Sequence, residues 1–394
     1  MCWTKGFIEK CTNQYKILDY ILELGSKIYE EQAHAAFIII KGCIPLTSAL
    51  RIALIGAGVM GRQHHEFIEQ NPNVTLCAVA DPGPDAQGHA NAWGAAYFSC
   101  HKQMLAQAKP EAAIIANPNA LHVSTAIDCL EAGVPVLLEK PVGVSVAEVK
   151  QLVEVSARTG VPVLVGHHRR HNPLIAKAHA LVQEGVLGRI TTVTALWQLQ
   201  KPDSYFDIPW RREPGAGMLL TNLIHDLDLL RYLCGEVVRV QAITSNGVRG
   251  FGNEDTVAVS LEFAGGALGS LTGSDGVAAP WTWELTSGEN PVYPQQTDQS
   301  CYLLSGTRGA LSIPQLQRFS YQEPGAGWYQ PLLKTQETYT PAPALERQLA
   351  HFVEVARGQA EPLVSAADAG RTLALVEAIR QAAETGSACT PQDL

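Results

Sequence analysis

Four short stretches of the chain carry residue types whose spacing can do chemistry. The first is Gly56-Ala57-Gly58-Val59-Met60-Gly61, a G-x-G-x-x-G segment directly after the apolar run Arg51 to Ile55. In such a turn the first glycine makes the bend and the second lets backbone approach a pyrophosphate. The third lets the following helix pack on the strand, and that helix's N-terminus offers free N–H groups to phosphate. Asp81 closes the next apolar run, 20 residues past Gly61, where a carboxylate can accept from the adenosine ribose hydroxyls. A carboxylate there repels a 2′-phosphate, and no arginine follows closely, so the reading is NAD, with NADP disfavoured. A structural turn with an exposed aspartate is the plain alternative.

The other stretches supply candidate reacting groups. Asn117-Pro118-Asn119, with His122, ends an apolar run where ligands bind in parallel sheets, although Asn and Pro also occur there for turn chemistry alone. Glu139-Lys140-Pro141 ends the next run; a partly desolvated Lys140 has a lowered pKa suited to proton transfer, whereas an exposed strand-end lysine has none. In Gly217 to Asp228, helical spacing puts Thr221, His225 and Asp228 on one face, four and three residues apart. A histidine so placed serves a hydroxyl–carbonyl interconversion or is simply a satisfied core residue. His167, His168 and His171 lack an accompanying carboxylate or cysteine set, so no metal site is read.

The elements that position these groups follow from periodicity. Buried strands read at Arg51–Ile55, Thr75–Ala80, near Tyr97, Ala112–Ala116, Val134–Leu138 and Pro162–Val165. Helices fall between them, which predicts a parallel doubly wound sheet. Beyond Pro173 come Thr- and Val-rich runs at Ile190–Gln200, Val237–Asn246, Thr256–Phe263, Ala267–Gly273 and Trp281–Thr286. Gly and Asn turns join them, predicting a mostly antiparallel sheet in an α+β domain. Two amphipathic helices, Ala344–Arg357 and Ala366–Glu384, close the chain. The expected division is an extension at 1–48 with no assigned role, a dinucleotide domain at 49–170 and a substrate and assembly domain at 171–394, whose last helices return to the first domain.

Bulk properties limit the function. At 394 residues two domains are expected, and a net charge of −9 argues against nucleic acid. No apolar stretch is long enough to span a bilayer, and the start of the chain lacks a secretory pattern. Nine scattered cysteines without a C-x-x-C pair suit a reducing cytoplasm.

Taken in order from about Leu50 onward, the glycine loop with His64, the Asn117-Pro118-Asn119 turn with His122, Glu139-Lys140-Pro141, Gly166 to Pro173 and Gly217 to Asp228 resemble the Gfo/Idh/MocA family. The resemblance implies a Rossmann domain followed by a large open-faced sheet that assembles homodimers or homotetramers. It also implies hydride transfer between a nicotinamide and a carbon of a sugar or polyol. It carries Lys140 and His225 over as the proton-handling pair. Gly56, Gly58, Val59, Met60, Gly61, Asp81, Asn117, Pro118, Asn119, His122, Glu139, Lys140 and Arg170 become cofactor contacts. Trp197, Lys201, Tyr205, Trp210, Arg211, Thr221, Asn222 and His225, with Lys140, become the substrate side. Many members carry Asp where this chain has Thr221, which removes a carboxylate from the set. Two rivals stand beside the dehydrogenase reading: an NAD-dependent glycosidase with transient hydride abstraction, and a dinucleotide-binding sensor without turnover.

Overall fold

The computed structural model describes residues 48–323 and 325–394, so the expected extension lies outside the described residues. Its first half alternates strands and helices: β1 (Leu50–Ile55), α1 (Val59–Gln70), β2 (Val74–Ala80), α2 (Ala86–Ala92), β3 (Ala96–Phe98), α3 (His101–Ala108), β4 (Ala112–Ile115), α4 (His122–Glu131), β5 (Val136–Leu138), α5 (Val146–Thr159) and β6 (Val163–Val165). The six strands are parallel in the order 3-2-1-4-5-6. Ile52, Leu54, Ile114, Leu137 and Leu164 are buried, because helices cover both faces of such a sheet. The order reverses between β1 and β4, which opens a crevice at their carboxyl ends.

The second half is carried by α6 (Pro173–Gln183), β7 (Ile190–Gln198), α7 (Ile224–Cys234), β8 (Val237–Ser245), β9 (Thr256–Phe263) and β10 (Leu268–Ser274). A one-turn helix α8 (Trp283–Thr286), β11 (Tyr302–Gly306), β12 (Gly309–Ile313), β13 (Gln317–Ser320) and β14 (Leu333–Gln336) follow. The eight strands run 14-13-12-11-7-10-9-8, antiparallel except for the β7–β10 pair. One face packs on α6 and α7 through Val193, Trp197, Val259, Leu271 and Leu304. The other leaves Ile243, Leu268 and Leu303 exposed.

Trp281–Thr286, expected as a strand, folds instead into the short helix α8. Its alternating aromatics mimic a strand, but Trp283 is buried against Tyr302 and the Thr286 hydroxyl donates to the Thr282 carbonyl. The closing helices are α9 (Ala344–Ala356) and α10 (Ala366–Thr385). Leu349, Phe352 and Val353 of α9 join the core beneath the parallel sheet, while α10 contributes Leu373 to that half and Ile379 to the other. The last helices therefore tie the two halves together.

Candidate active site

The turn after β1 requires glycine on steric grounds at two of its three glycine positions. Gly56 has φ of 100°, and a Cβ there would lie 2.4 Å from the Ala116 carbonyl oxygen. A Cβ on Gly61 would lie 2.0 Å from the Gly56 carbonyl oxygen, so α1 seats on β1 only without a side chain. Gly58 differs: its backbone is extended and nothing lies within 4 Å of the Cβ position. No side chain caps α1, and Val59 at its first turn is 74% exposed. An open approach to bare helix amides is what a pyrophosphate needs. Beside it the Ala57 N–H donates to Asp81 Oδ2 at 2.7 Å and the Gly83 N–H to Oδ1 at 2.6 Å. These bonds fix the carboxylate at the loop and leave further lone pairs for ribose hydroxyls. The Asn117 Oδ1 is buried without a partner while its Nδ2 donates to Thr125, an acceptor waiting for a donor. The residues present thus fit a dinucleotide.

Two residues expected at the cofactor serve the scaffold instead. His122 is 1% exposed, with Nδ1 at 2.7 Å from the Pro141 carbonyl and Nε2 at 2.9 Å from the Asn117 carbonyl. It clamps the turns after β4 and β5 together, whereas Pro118 and Asn119 sit at the surface of the first turn. Arg170 is 5% exposed; Nε and Nη2 hold both oxygens of Asp228 at 2.8 and 2.6 Å, and Nη1 holds Asp368 at 2.6 Å. A guanidinium gripped by two carboxylates across three elements is a structural tie. Glu139 is also internal. Its Oε1 meets His64 Nε2 at 2.7 Å, both side chains being buried. Burial would raise this carboxyl, but His64 and Lys140 hold it below the usual range.

Lys140 and His225 come within electrostatic reach of each other across the crevice. The Lys140 amine donates to the Thr221 carbonyl at 3.1 Å. Burial lowers its pKa; Glu139 opposes the shift and Arg169 reinforces it. The segment carrying Thr221 is a π turn, Leu219–Leu223, that runs directly into α7. Such wide turns recur at functional sites because they offset side chains from regular spacing. The Thr221 hydroxyl has the Gly217 carbonyl at 3.0 Å and Asn222 Oδ1 at 2.9 Å as alternative acceptors for its one proton, and it is the Thr221 carbonyl that reaches Lys140. Of the face expected of Thr221, His225 and Asp228, the π turn displaces Thr221 from regular spacing, while His225 and Asp228 stay three apart in α7, both beside His167, with Asp228 held by Arg170.

His225 is 7% exposed; its Nδ1 is buried without a hydrogen-bond partner among the described residues, and its ring lies edge-on to those of His168 and His167 at 5.1 and 5.9 Å between centroids. Burial, then the charges of Lys140 and Arg169, pushes its pKa well below the ordinary histidine range. The imidazole is therefore neutral at pH 7, the state a general base requires.

The loop between β7 and the π turn frames the other side. Lys201 Nζ donates to Asn222 Oδ1 at 2.9 Å and pairs with Asp275 at 3.3 Å. Its charge lies 4.6 Å from the Tyr205 ring, and Arg211 stacks on the same ring at 4.0 Å. Trp210 is 53% exposed. Trp197, expected to touch substrate, is 1% exposed and donates to Glu284 at 3.1 Å. It belongs to the core beneath the sheet because the alternation of β7 turns it inward. Sequence reasoning missed Glu284, whose charge Lys140 feels and which Arg169 grips at 2.8 Å. It missed Tyr293 as well, in electrostatic reach of Glu284 and Tyr205. Neither sits in a recognisable motif.

Comparison with known proteins adds to this geometry. The model of an oxidoreductase family with an NAD-binding Rossmann fold, GFO_IDH_MocA, matches residues 50–167, and that of the GFO/IDH/MocA C-terminal domain matches 175–312. The chain is 26% identical to the rhizopine catabolism protein MocA of Rhizobium meliloti over 83% of its own length and 93% of the relative's. It is 26% identical to inositol 2-dehydrogenase of Rhizobium meliloti (strain 1021), covering 82% and 91%. The WlbA dehydrogenase of Bordetella pertussis, solved with NADH and UDP-GlcNAcA, superposes with a TM-score of 0.72 at 26% identity, covering 88% of this chain and 99% of that one.

Proposed function

The chain belongs to the Gfo/Idh/MocA family and is an NAD-binding oxidoreductase, and on that footing we propose that it oxidises a secondary hydroxyl of a cyclic polyol, sugar or sugar derivative. The observation that carries this reading is the buried, neutral His225 facing Lys140 at the carboxyl edge of the parallel sheet. NAD, when bound along Gly56–Gly61 and Asp81, supplies the hydride acceptor. His225 takes the hydroxyl proton. Lys140, held by the Thr221 carbonyl, donates to the oxygen as negative charge develops there. Thr221 lacks a carboxylate, so His225 works as the base without an acidic partner in this turn.

Lys201, Asn222, Tyr205, Trp210 and Arg211 form the substrate side, where an aromatic face and charged donors suit a ring with apolar faces and hydroxyl edges. The named activities of the rhizopine and inositol relatives support a polyol. Asp81 supports NAD over NADP by its charge at the ribose end. The exposed Ile243, Leu268 and Leu303 support a homodimer or homotetramer through the open sheet face, and the scattered cysteines a cytoplasmic setting.

The test is an absorbance screen at about 340 nm, the reduced-nicotinamide band, with NAD against inositols, aldoses, sugar acids and glycosides. Net NADH formation with a polyol or sugar supports the proposal. Glycoside cleavage without net NADH, or NAD binding without turnover on any compound, contradicts it.

A further inference from the structure

His225 is buried, so a proton it accepts must leave by a defined route. Its Nδ1 is enclosed and unpartnered, which leaves Nε2 to meet substrate, and its ring lies edge-on to two neighbouring histidines. Such an orphaned nitrogen calls for an explanation. Two rings touch it, and they differ in what lies behind them.

His167 is a dead end. It is 1% exposed, both its ring nitrogens lack partners, and burial lowers its pKa to about 4. The nearest carboxylate, Asp228 at 3.8 Å, is already held through both oxygens by Arg170. A proton placed there meets a cation and no solvent.

His168 is the opposite case. Its side chain is 23% exposed and its Nε2 lies 3.6 Å from Glu289 Oε2. Glu289 is anchored by Trp283 Nε1 at 2.7 Å and Asn172 Nδ2 at 2.8 Å. Burial would raise this carboxyl, but His168 and Arg169 bring it down to about 2, so it stays ionised. Glu139 and His171 also lie within electrostatic reach of His168. A fixed carboxylate beside a partly exposed imidazole is the arrangement in which carboxylate–histidine pairs pass protons.

We infer that His168, backed by Glu289, is the proton exit of this site: it receives from His225 Nδ1 the proton that His225 Nε2 takes from the substrate hydroxyl, and releases it to solvent. A turn of the His168 ring or one bridging water closes the contact. The balance is complete. The carbinol C–H bond breaks with its electron pair leaving as hydride to the nicotinamide. The O–H bond breaks, a C=O bond forms, and one proton appears in solution through His225 and His168. The inference rests on the dehydrogenase reading above.

The test compares wild type, His168→Ala and Glu289→Gln in stopped flow, with NAD and myo-inositol, D-glucose or D-glucuronate, whichever the wild type oxidises. Absorbance follows NADH and a pH indicator in weak buffer follows the proton. NADH binding by fluorescence establishes that each variant is folded. In wild type, proton release keeps pace with NADH. In His168→Ala, kcat falls by roughly 10²-fold, the low end for a lost proton-transfer group, proton release lags NADH, and added imidazole restores both. Glu289→Gln gives a smaller fall of about tenfold with the same lag. Proton release that stays in step in either folded variant, or loss of kcat without imidazole rescue, overturns the inference. A wild type that oxidises none of the three compounds, nor any in the wider screen, overturns the dehydrogenase reading and this exit with it. That outcome is distinct from a wild type that turns over with no lag in the variants.

Discussion

The glycine loop makes a prediction in which two substitutions of the same kind, three residues apart, fail in opposite ways. At Gly58 an alanine fits, since φ is −69° and no atom lies within 4 Å of the new Cβ. The loss of a glycine at the helix N-cap costs a few tenths of a kcal/mol or more, and the stiffer unfolded chain returns about 0.4–1 kcal/mol. Stability therefore changes by no more than about 0.5 kcal/mol. The methyl instead stands where the pyrophosphate must approach the amides of α1. Losing one charged backbone hydrogen bond costs about 1.5–3 kcal/mol, which weakens NADH binding by roughly 10- to 150-fold. At Gly61 the new Cβ lies 2.0 Å from the Gly56 oxygen and 3.0 Å from its carbonyl carbon, backbone atoms that cannot swing aside. Overpacking of this kind costs about 1–3 kcal/mol or more and lowers Tm by several degrees. Fluorescence titration of NADH and thermal unfolding by circular dichroism read the two effects separately. A folded Gly58→Ala that binds NADH like wild type refutes the cradle, and a Gly61→Ala of unchanged Tm refutes the packing argument.

Lys140→Ala and His225→Ala each abolish turnover while binding NADH close to wild type, because neither lies on the glycine loop; near-wild-type kcat in either removes the assigned role. Asp81→Ser removes the charge that faces the ribose and two backbone bonds at Ala57 and Gly83, so NAD binding weakens and the ratio of NAD to NADP affinity narrows. Equilibrium binding of both cofactors checks this, and an unchanged ratio contradicts it. Acid weakens the fold through His167 and His171, whose pKa values fall from 6.5 to about 4 and about 3 in the native state. Below 6.5 the unfolded chain takes up protons that the native state refuses, so stability is full above 6.5 and declines toward pH 4. Each histidine contributes at most on the order of 3 kcal/mol. Asp226, raised from 3.8 to about 6 by burial, acts in the reverse sense across that window and offsets part of the loss. Urea unfolding at pH 7.5 and pH 5 measures the net, and equal stability at both counters the prediction.

The parallel half was legible because its strands are short continuous apolar runs, Ile-Ala-Leu-Ile, Ala-Ala-Ile-Ile, Val-Leu-Leu and Val-Leu-Val, that leave no other assignment. In the second half, β7 to β10 could be read, but β11 to β14 could not. Gln-Arg-Phe-Ser and Leu-Lys-Thr-Gln carry no apolar alternation, since neither strand contributes to the buried core. Within the site, residues inside motifs were found and their partners were not. Arg170 reads as a cofactor contact until Asp228 and Asp368, 58 and 198 residues away, are seen to hold it. The π turn at Leu219–Leu223 has no signature in residue type, so regular helical spacing was extended to Thr221 where the fold widens the turn, while His225 and Asp228 keep their three-residue spacing in α7. His122 was recognised by its motif but misassigned, because its two partners are backbone carbonyls that no sequence displays.

The central claim is that a substrate C–H hydrogen moves to the nicotinamide while His225 takes the hydroxyl proton. A substrate from the polyol and sugar screen, deuterated at the carbinol carbon, tests it with NAD in a reaction analysed by NMR and mass spectrometry. The account predicts one deuterium at C4 of the NADH formed for each carbonyl product, and none in wild-type yield from His225→Ala. Deuterium retained in a cleaved sugar, or lost to water without net NADH, would contradict it.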